Sequence, residues 1–160
     1  MTVLVRPAGA DDENWVTAVL RQRWEGRAPV RDEEFDLTRL PALIAWIDGR
    51  RAGAATVRRD PSGDTELMSL DSLEEGVGVG SALIEAASAW ARSVGAGRLR
   101  VVTTNDNLRA LALYQRRGFR LLALRCGAVD RARRRKPSIP EVGEGGIPVH
   151  DELELARTLR

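Results

Sequence analysis

The sequence predicts a mixed α/β domain, and three observations carry that reading. Apolar runs of strand length recur along the chain, and stripes at helical spacing alternate with them. Between Thr65 and Val94 a strand, a glycine-rich loop and a helix follow one another directly. With 160 residues, 43% apolar and 30% charged, residues 1–160 are expected to form one domain with a substantial core. No stretch approaches the roughly 20 apolar residues needed to cross a bilayer, and Met1 to Arg6 carries no secretory pattern, so no membrane partner is expected. Cys126 is the only cysteine and His150 the only histidine, which excludes an internal disulfide and argues against a His/Cys metal site. A reducing cytoplasm and a metal-free protein are the expectation.

Val3 to Val5 opens as a short strand. Asp11 and Asp12 are candidate caps for a helix whose Val16, Val19, Leu20 and Trp24 recur at helical spacing. The acidic stretch Asp32 to Asp36 reads as a loop or a short second helix. Leu43 to Ile47 and Ala52 to Val57 flank Asp48-Gly49, a dipeptide that tolerates the positive φ of a tight turn, and form a β-hairpin. Pro61 to Asp64 turns the chain into a strand from Thr65 to Leu70, followed by the loop Gly76-Val77-Gly78-Val79-Gly80. Leu83, Ile84, Ala87, Trp90, Ala91 and Val94 form the next helical stripe, which Gly95 and Gly97 end.

Arg98 to Thr103 alternates as a strand, Asn107 caps a helix running to Arg117, and Gly118 occupies its C-cap. Phe119 to Arg125 is the following strand. Residues 127–148, with three prolines and four glycines, read as an irregular excursion with one short helix around Asp130 to Arg135. Val149, Asp151, Leu153 and Leu155 alternate as a final strand.

Charge is uneven beneath a net of +2. Residues 1–80 hold 10 arginines against 15 acids, and Arg109 to Lys136 carries ten bases against the single acid Asp130. That basic stretch attracts polyanions. It offers no clear stacking platform, however, and the acidic first half argues against a continuous nucleic-acid face. Lys136 is the only lysine among 25 basic residues, an arginine bias of the kind a GC-rich bacterial genome leaves.

Glycines ahead of a helix let a phosphate reach unpaired backbone N–H groups at the positive end of the helix dipole. Gly76, Gly78 and Gly80 fit that role, although glycines of this kind also serve plain turns. A nucleotide triphosphatase loop is excluded because Ser81 and Ala82 follow Gly80, and a dinucleotide fold because a hairpin precedes the glycines. Farther on, Asn107, Ala110 and Tyr114 stand at i, i+3 and i+7, placing a polar group, a small side chain and the chain's only tyrosine on one helical stripe.

Together these segments resemble the GNAT superfamily of acetyl-coenzyme A dependent N-acetyltransferases. The family's pyrophosphate loop, Gln/Arg-x-x-Gly-x-Gly/Ala, falls on Glu75 to Gly80. Its second motif, Asn-x-x-Ala-x-x-x-Tyr-x-x-x-Gly-Phe, is matched in every named position from Asn107 to Phe119. The order of elements agrees from Val3 to Leu155, with fewest matches in residues 7–40 and 127–148. The resemblance implies a twisted, mixed sheet of seven strands with helices on both faces, splayed between the fourth and fifth strands, where coenzyme A would lie.

It further implies that Glu75, Gly76, Val77, Gly78, Val79, Gly80 and Ser81 hold the pyrophosphate and that the strand edge near Leu70 binds the pantetheine arm and the acetyl carbonyl. Asn107 would contact the cofactor, Ala110 would let it pass close to the helix, and Tyr114 would protonate the departing thiolate. Glu66 is the family-like general base, with Asp71 and a water relay as rivals. The co-substrate would be acetyl-CoA and the acceptor a primary amine of a small molecule or peptide, attacking directly. A homodimer is among the assemblies left open. A catalytically silent acyl-CoA sensor is the alternative, because Glu75 stands where the family has Gln or Arg and Val77 where a basic residue is common. The loop from Gly127 to Pro148 is expected to wall the acceptor side, with Arg133, Arg134 and Arg135 selecting an anionic acceptor or the loop covering the site; a subunit contact or a plain surface loop is the alternative.

Overall fold

The computed structural model describes residues 2–160. Strand β1 (Val3–Pro7) is followed by a 3-10 turn at Ala10–Asp12, in which Asp12 accepts from the Gly9 N–H at 2.8 Å, and by helix α1 (Glu13–Trp24). Val16, Val19 and Leu20 are its buried face, as the helical spacing predicts.

The acidic stretch after α1 is neither a loop nor a helix. Strands β2 (Arg27–Val30) and β3 (Glu33–Asp36) pair antiparallel as a separate two-stranded sheet. Their turn is Arg31-Asp32, with φ of 51° and 65°, so two non-glycine residues adopt the left-handed region that such a tight turn demands. The alternation is hidden because only Ala28, Val30 and the half-buried Phe35 face the core, while the acids of β3 point outward.

The main sheet continues with β4 (Ala42–Ile47) and β5 (Arg50–Arg59), joined through Asp48-Gly49 at φ of 49° and 76°. After β6 (Thr65–Ser72) come α2 (Val79–Ser93), β7 (Arg98–Thr104), α3 (Leu108–Arg116), β8 (Arg120–Arg125), α4 (Ala128–Arg135) and β9 (Glu152–Thr158). The order is β1-β4-β5-β6-β7-β9-β8. Only β6 and β7 run parallel; the other neighbours are antiparallel.

Two apolar layers cover the sheet. On one face Val79, Leu83, Ile84, Ala87 and Ala91 of α2, with Tyr114 of α3, pack on β4–β7. Gly53 in β5 permits that approach, because a Cβ there would meet Val79 Cγ1 and the Asp71 carbonyl at 2.6 Å. On the other face Val16 and Leu20 of α1 pack with Ala28, Val30, Leu37, Ile44 and Met68. Helix α4 lies against the β2–β3 hairpin. Arg131 pairs with Asp32 at 2.9 Å, and Lys136 donates to the carbonyls of Trp24 and Arg27 at 2.7 and 3.1 Å.

The hairpin tip is tied to the sheet by charge. Arg31 grips Glu66 with two hydrogen bonds of 2.6 and 2.8 Å and reaches Glu154 at 3.1 Å. Arg58, Arg100 and Arg125 close the remaining sides of Glu66, Glu152 and Glu154, all of which are buried. Removing one partner from a buried pair strands the other charge away from water. Arg31→Ala is therefore expected to lower unfolding free energy by about 3 kcal/mol. Arg131→Ala, which breaks a solvent-screened exposed pair, should leave it nearly unchanged. Urea unfolding monitored by tryptophan fluorescence checks the difference; equal losses would mean that Arg58 alone neutralises Glu66.

Candidate active site

Strands β6 and β7 pair over only three residues each, Thr65–Leu67 with Leu99–Val101. Beyond them the strands part. Part of the cause is a bulge in β6: Thr56 faces Ser69 and Val57 faces Leu67, so Met68 is an extra residue that bends the strand. A cleft of about 720 Å³ opens at the parting. Leu67, Val79, Val101, Ala110, Leu113 and Tyr114 line it from the α2–α3 layer, and Trp24, Met68 and Val102 from the α1–hairpin layer. The cleft thus passes through the sheet. Along it the β7-facing backbone of Leu70 has no strand partner.

The glycine loop forms one mouth. Gly76 and Gly78 have φ of 76° and 87°, and Gly78 is the N-cap of α2 with no side chain capping the helix. A Cβ on Gly78 would meet nothing within 4 Å, and no side chain caps the first N–H groups of α2. Glu75, Gly76, Gly78, Val79, Gly80 and Ser81 line the cleft. Val77 differs: its side chain packs into the α2–α3 core, so it offers at most its backbone. Glu75 is exposed and paired with Arg109 of α3 across the mouth at 3.2 Å, so its charge is locally answered. An exposed pair of this kind is screened by solvent and exchanges readily for another anion.

Opposite the loop, Asn107 is the N-cap of α3, its Oδ1 accepting from the Ala110 N–H at 3.2 Å. Both residues line the cleft. Tyr114 reaches it from a buried position, its ring tilted against Phe119 at 5.4 Å. Burial, together with the nearby Asp71 carboxylate, pushes the phenol well above its ordinary pKa. Tyr114 is therefore a protonated donor at neutral pH.

The two carboxylates of β6 occupy different worlds. Glu66 is 1% exposed, lies in the paired part of the strand, and has its oxygens taken by Arg31 and Arg58. It does not line the cleft. Asp71 lies beyond the parting, accepts from Trp24 Nε1 at 2.9 Å and stands 4.0 Å from Arg23. Burial raises its pKa, against the opposing pull of the Trp24 N–H and the Arg23 guanidinium.

The excursion contributes only Glu144 to the cleft. Arg133 is bound to Asp130 and to the carbonyls of Ile139, Pro140 and Val149, and Arg135 pairs with Glu34. Those arginines brace the loop and hairpin instead of facing an acceptor. Sequence reasoning missed Arg23 and Trp24 as cleft residues; the sole signal was that Trp24 ends the apolar stripe of α1 next to a charged neighbour.

The acetyltransferase (GNAT) family model matches residues 12–119. An uncharacterized protein of Bacillus subtilis strain 168, YdhI, is 43% identical over 96 residues, which span 60% of this chain and 60% of that relative. An IAA acetyltransferase from Bacillus cereus ATCC 14579 superposes with a TM-score of 0.78 at 24% identity, covering 99% of this chain and 100% of its own. A GNAT family acetyltransferase from Elizabethkingia anophelis with acetyl-CoA bound gives 0.70 at 20% identity, over 98% of each chain. At these identities the structural likeness is one of fold.

Because Tyr114 is the only tyrosine, its titration is directly visible. The near-ultraviolet absorbance of tyrosinate is expected to stay absent through the ordinary phenol range and to rise only when the fold opens at high pH. A reversible transition near the free-phenol value in the folded protein would show the ring to be solvated.

Proposed function

The chain belongs to the acetyltransferase (GNAT) family, and from that premise we propose that it transfers an acetyl group from acetyl-CoA to a primary amine. The observation that carries the proposal is the convergence, at one parting of the sheet, of an open helix N-terminus, an unpaired strand edge, a protonated phenol and a buried carboxylate. The residues suit the co-substrate. The open approach to Gly78 leaves room for a diphosphate where a side chain would intrude, and the dipole of α2 favours its charge.

In this reading the backbone from Glu75 to Ser81 holds the pyrophosphate, and Arg109 leaves Glu75 to join it. The free edge of β6 at Leu70 aligns the pantetheine arm, while Asn107 and Ala110 set its course past α3. Acetyl-CoA supplies an acyl thioester, whose C–S bond breaks as the C–N bond to the amine forms. Asp71 takes the proton that the ammonium must lose before it can attack, a task suited to its raised pKa. Tyr114 gives its proton to the leaving sulfur and regains one from the acylated nitrogen through solvent. The hydrogen bond from Trp24, which lines the cleft, fixes the orientation of the Asp71 carboxylate. Glu66, the base that the family resemblance suggested, is assigned instead to anchoring the hairpin, since Arg31 and Arg58 occupy its oxygens.

Tyr114→Phe is expected to lower kcat by about 100-fold while leaving acetyl-CoA affinity within a few-fold of wild type. Thiol release and calorimetric titration measure the two quantities; unchanged turnover would remove the acid role, and absence of turnover in the wild type with binding intact would favour a sensor. Asp71 must be ionised to act, so kcat should fall as pH drops through a pKa above the usual carboxylate range. Asp71→Asn should lower kcat and abolish that acid limb. Persistence of the limb in the variant would assign it to another group.

A further inference from the structure

Arg23 is a guanidinium that the reaction as described does not use. It stands in the last turn of α1, lines the cleft, is 44% exposed, and its one carboxylate neighbour among the described residues is Asp71 at 4.0 Å. The cleft's other arginines belong elsewhere. Arg109 is held by Glu75 and feels Glu144, and Arg116 ends α3 on the opposite layer. The apolar lining on the α1 side is Trp24, Met68 and Val102, with the indole N–H given to Asp71, and the hydroxyl of Ser69, which also lines the cleft, is paired with Thr56.

Arg23 on the cleft wall and the mostly buried Asp71 carboxylate 4.0 Å from it therefore offer a positive and a negative charge side by side, next to a largely apolar wall. A simple alkylammonium would satisfy Asp71 but would meet repulsion from Arg23. A zwitterion whose ammonium and carboxylate are two bonds apart satisfies both, with charge-assisted hydrogen bonds of about 2.8 Å at each end. Resting on the acetyl-transfer reading, we infer that the acceptor is an α-amino acid with an apolar side chain, its amine at Asp71 and its carboxylate on Arg23. The side chain then lies on Trp24, Met68 and Val102. The carboxylate contact also fixes the direction in which the lone pair of the deprotonated nitrogen points. The bond made is the amide C–N bond, the bond broken is C–S, and the carboxylate itself is unchanged.

The experiment is thiol release from acetyl-CoA with matched amines: phenylalanine against phenethylamine, and leucine against 3-methylbutylamine. In the wild type the amino acid should exceed its decarboxylated partner in kcat/KM by at least about tenfold, because a site built for a carboxylate penalises its absence. Arg23→Gln should collapse that ratio by at least about tenfold, and Arg23→Lys should restore part of it. A merely structural role for Arg23 would lower both members of each pair equally and leave the ratio unmoved, which overturns the inference. A wild-type ratio at or below one overturns it as well, as does absence of turnover with any amino acid while acetyl-CoA still raises the melting temperature. Absence of that thermal shift would instead overturn the acetyl-transfer reading beneath it.

Discussion

Backbone hydrogen bonding between β6 and β7 ends after three residues on each strand, and the rest of the site depends on that ending. Were the parallel ladder continued, Leu70 would have no free edge, and the apolar layers above and below the sheet would not communicate. The bulge at Met68 and the small residues of β5 make the early ending stable, since Gly53 lets α2 press close enough to cover the bent strand. The same parting sorts the carboxylates of β6 by position. Glu66 lies before it and becomes a structural anion, whereas Asp71 lies after it, between the cleft-lining Leu70 and Ser72.

Burying Glu66, Glu152 and Glu154 beneath a β-hairpin is costly unless cations accompany them, and four arginines do. The arrangement ties an otherwise marginal two-stranded ribbon to the main sheet, because an isolated hairpin has little stability of its own. Helix α4 adds a second tether through Asp32, Glu34 and the carbonyls that Lys136 binds. In this way residues distant from the cleft hold the C-terminal end of α1, and with it Arg23 and Trp24, at the mouth.

Features encoded locally were legible in the sequence. Asp48-Gly49, the glycines ahead of α2, and the run from Asn107 to Phe119 each state their geometry within a few residues, and the seven-stranded sheet with its parting follows the family pattern they announce. What was hidden depends on distant partners. Nothing near Arg31 signals that it turns a hairpin, since the partners that anchor its side chain, Glu66, 35 residues away, and Glu154, 123 away, are distant in sequence. Glu66 on an alternating strand reads as a cleft carboxylate until its arginines are placed. The arginines of α4 read as ligands for an anion, but the backbone carbonyls of their own loop claim Arg133 first.

The burial of Lys136 has a chemical consequence of its own. It is the chain's sole lysine, it is 8% exposed, and its ammonium donates to two backbone carbonyls. Every other basic side chain apart from His150 is an arginine, whose guanidinium stays protonated and is a poor nucleophile toward thioesters. The surface thus offers no lysine amine to a reactive acyl donor. A protein that handles such donors at high local concentration is shielded by composition from acylating its own side chains, and amine-directed reagents will find almost nothing on it to modify.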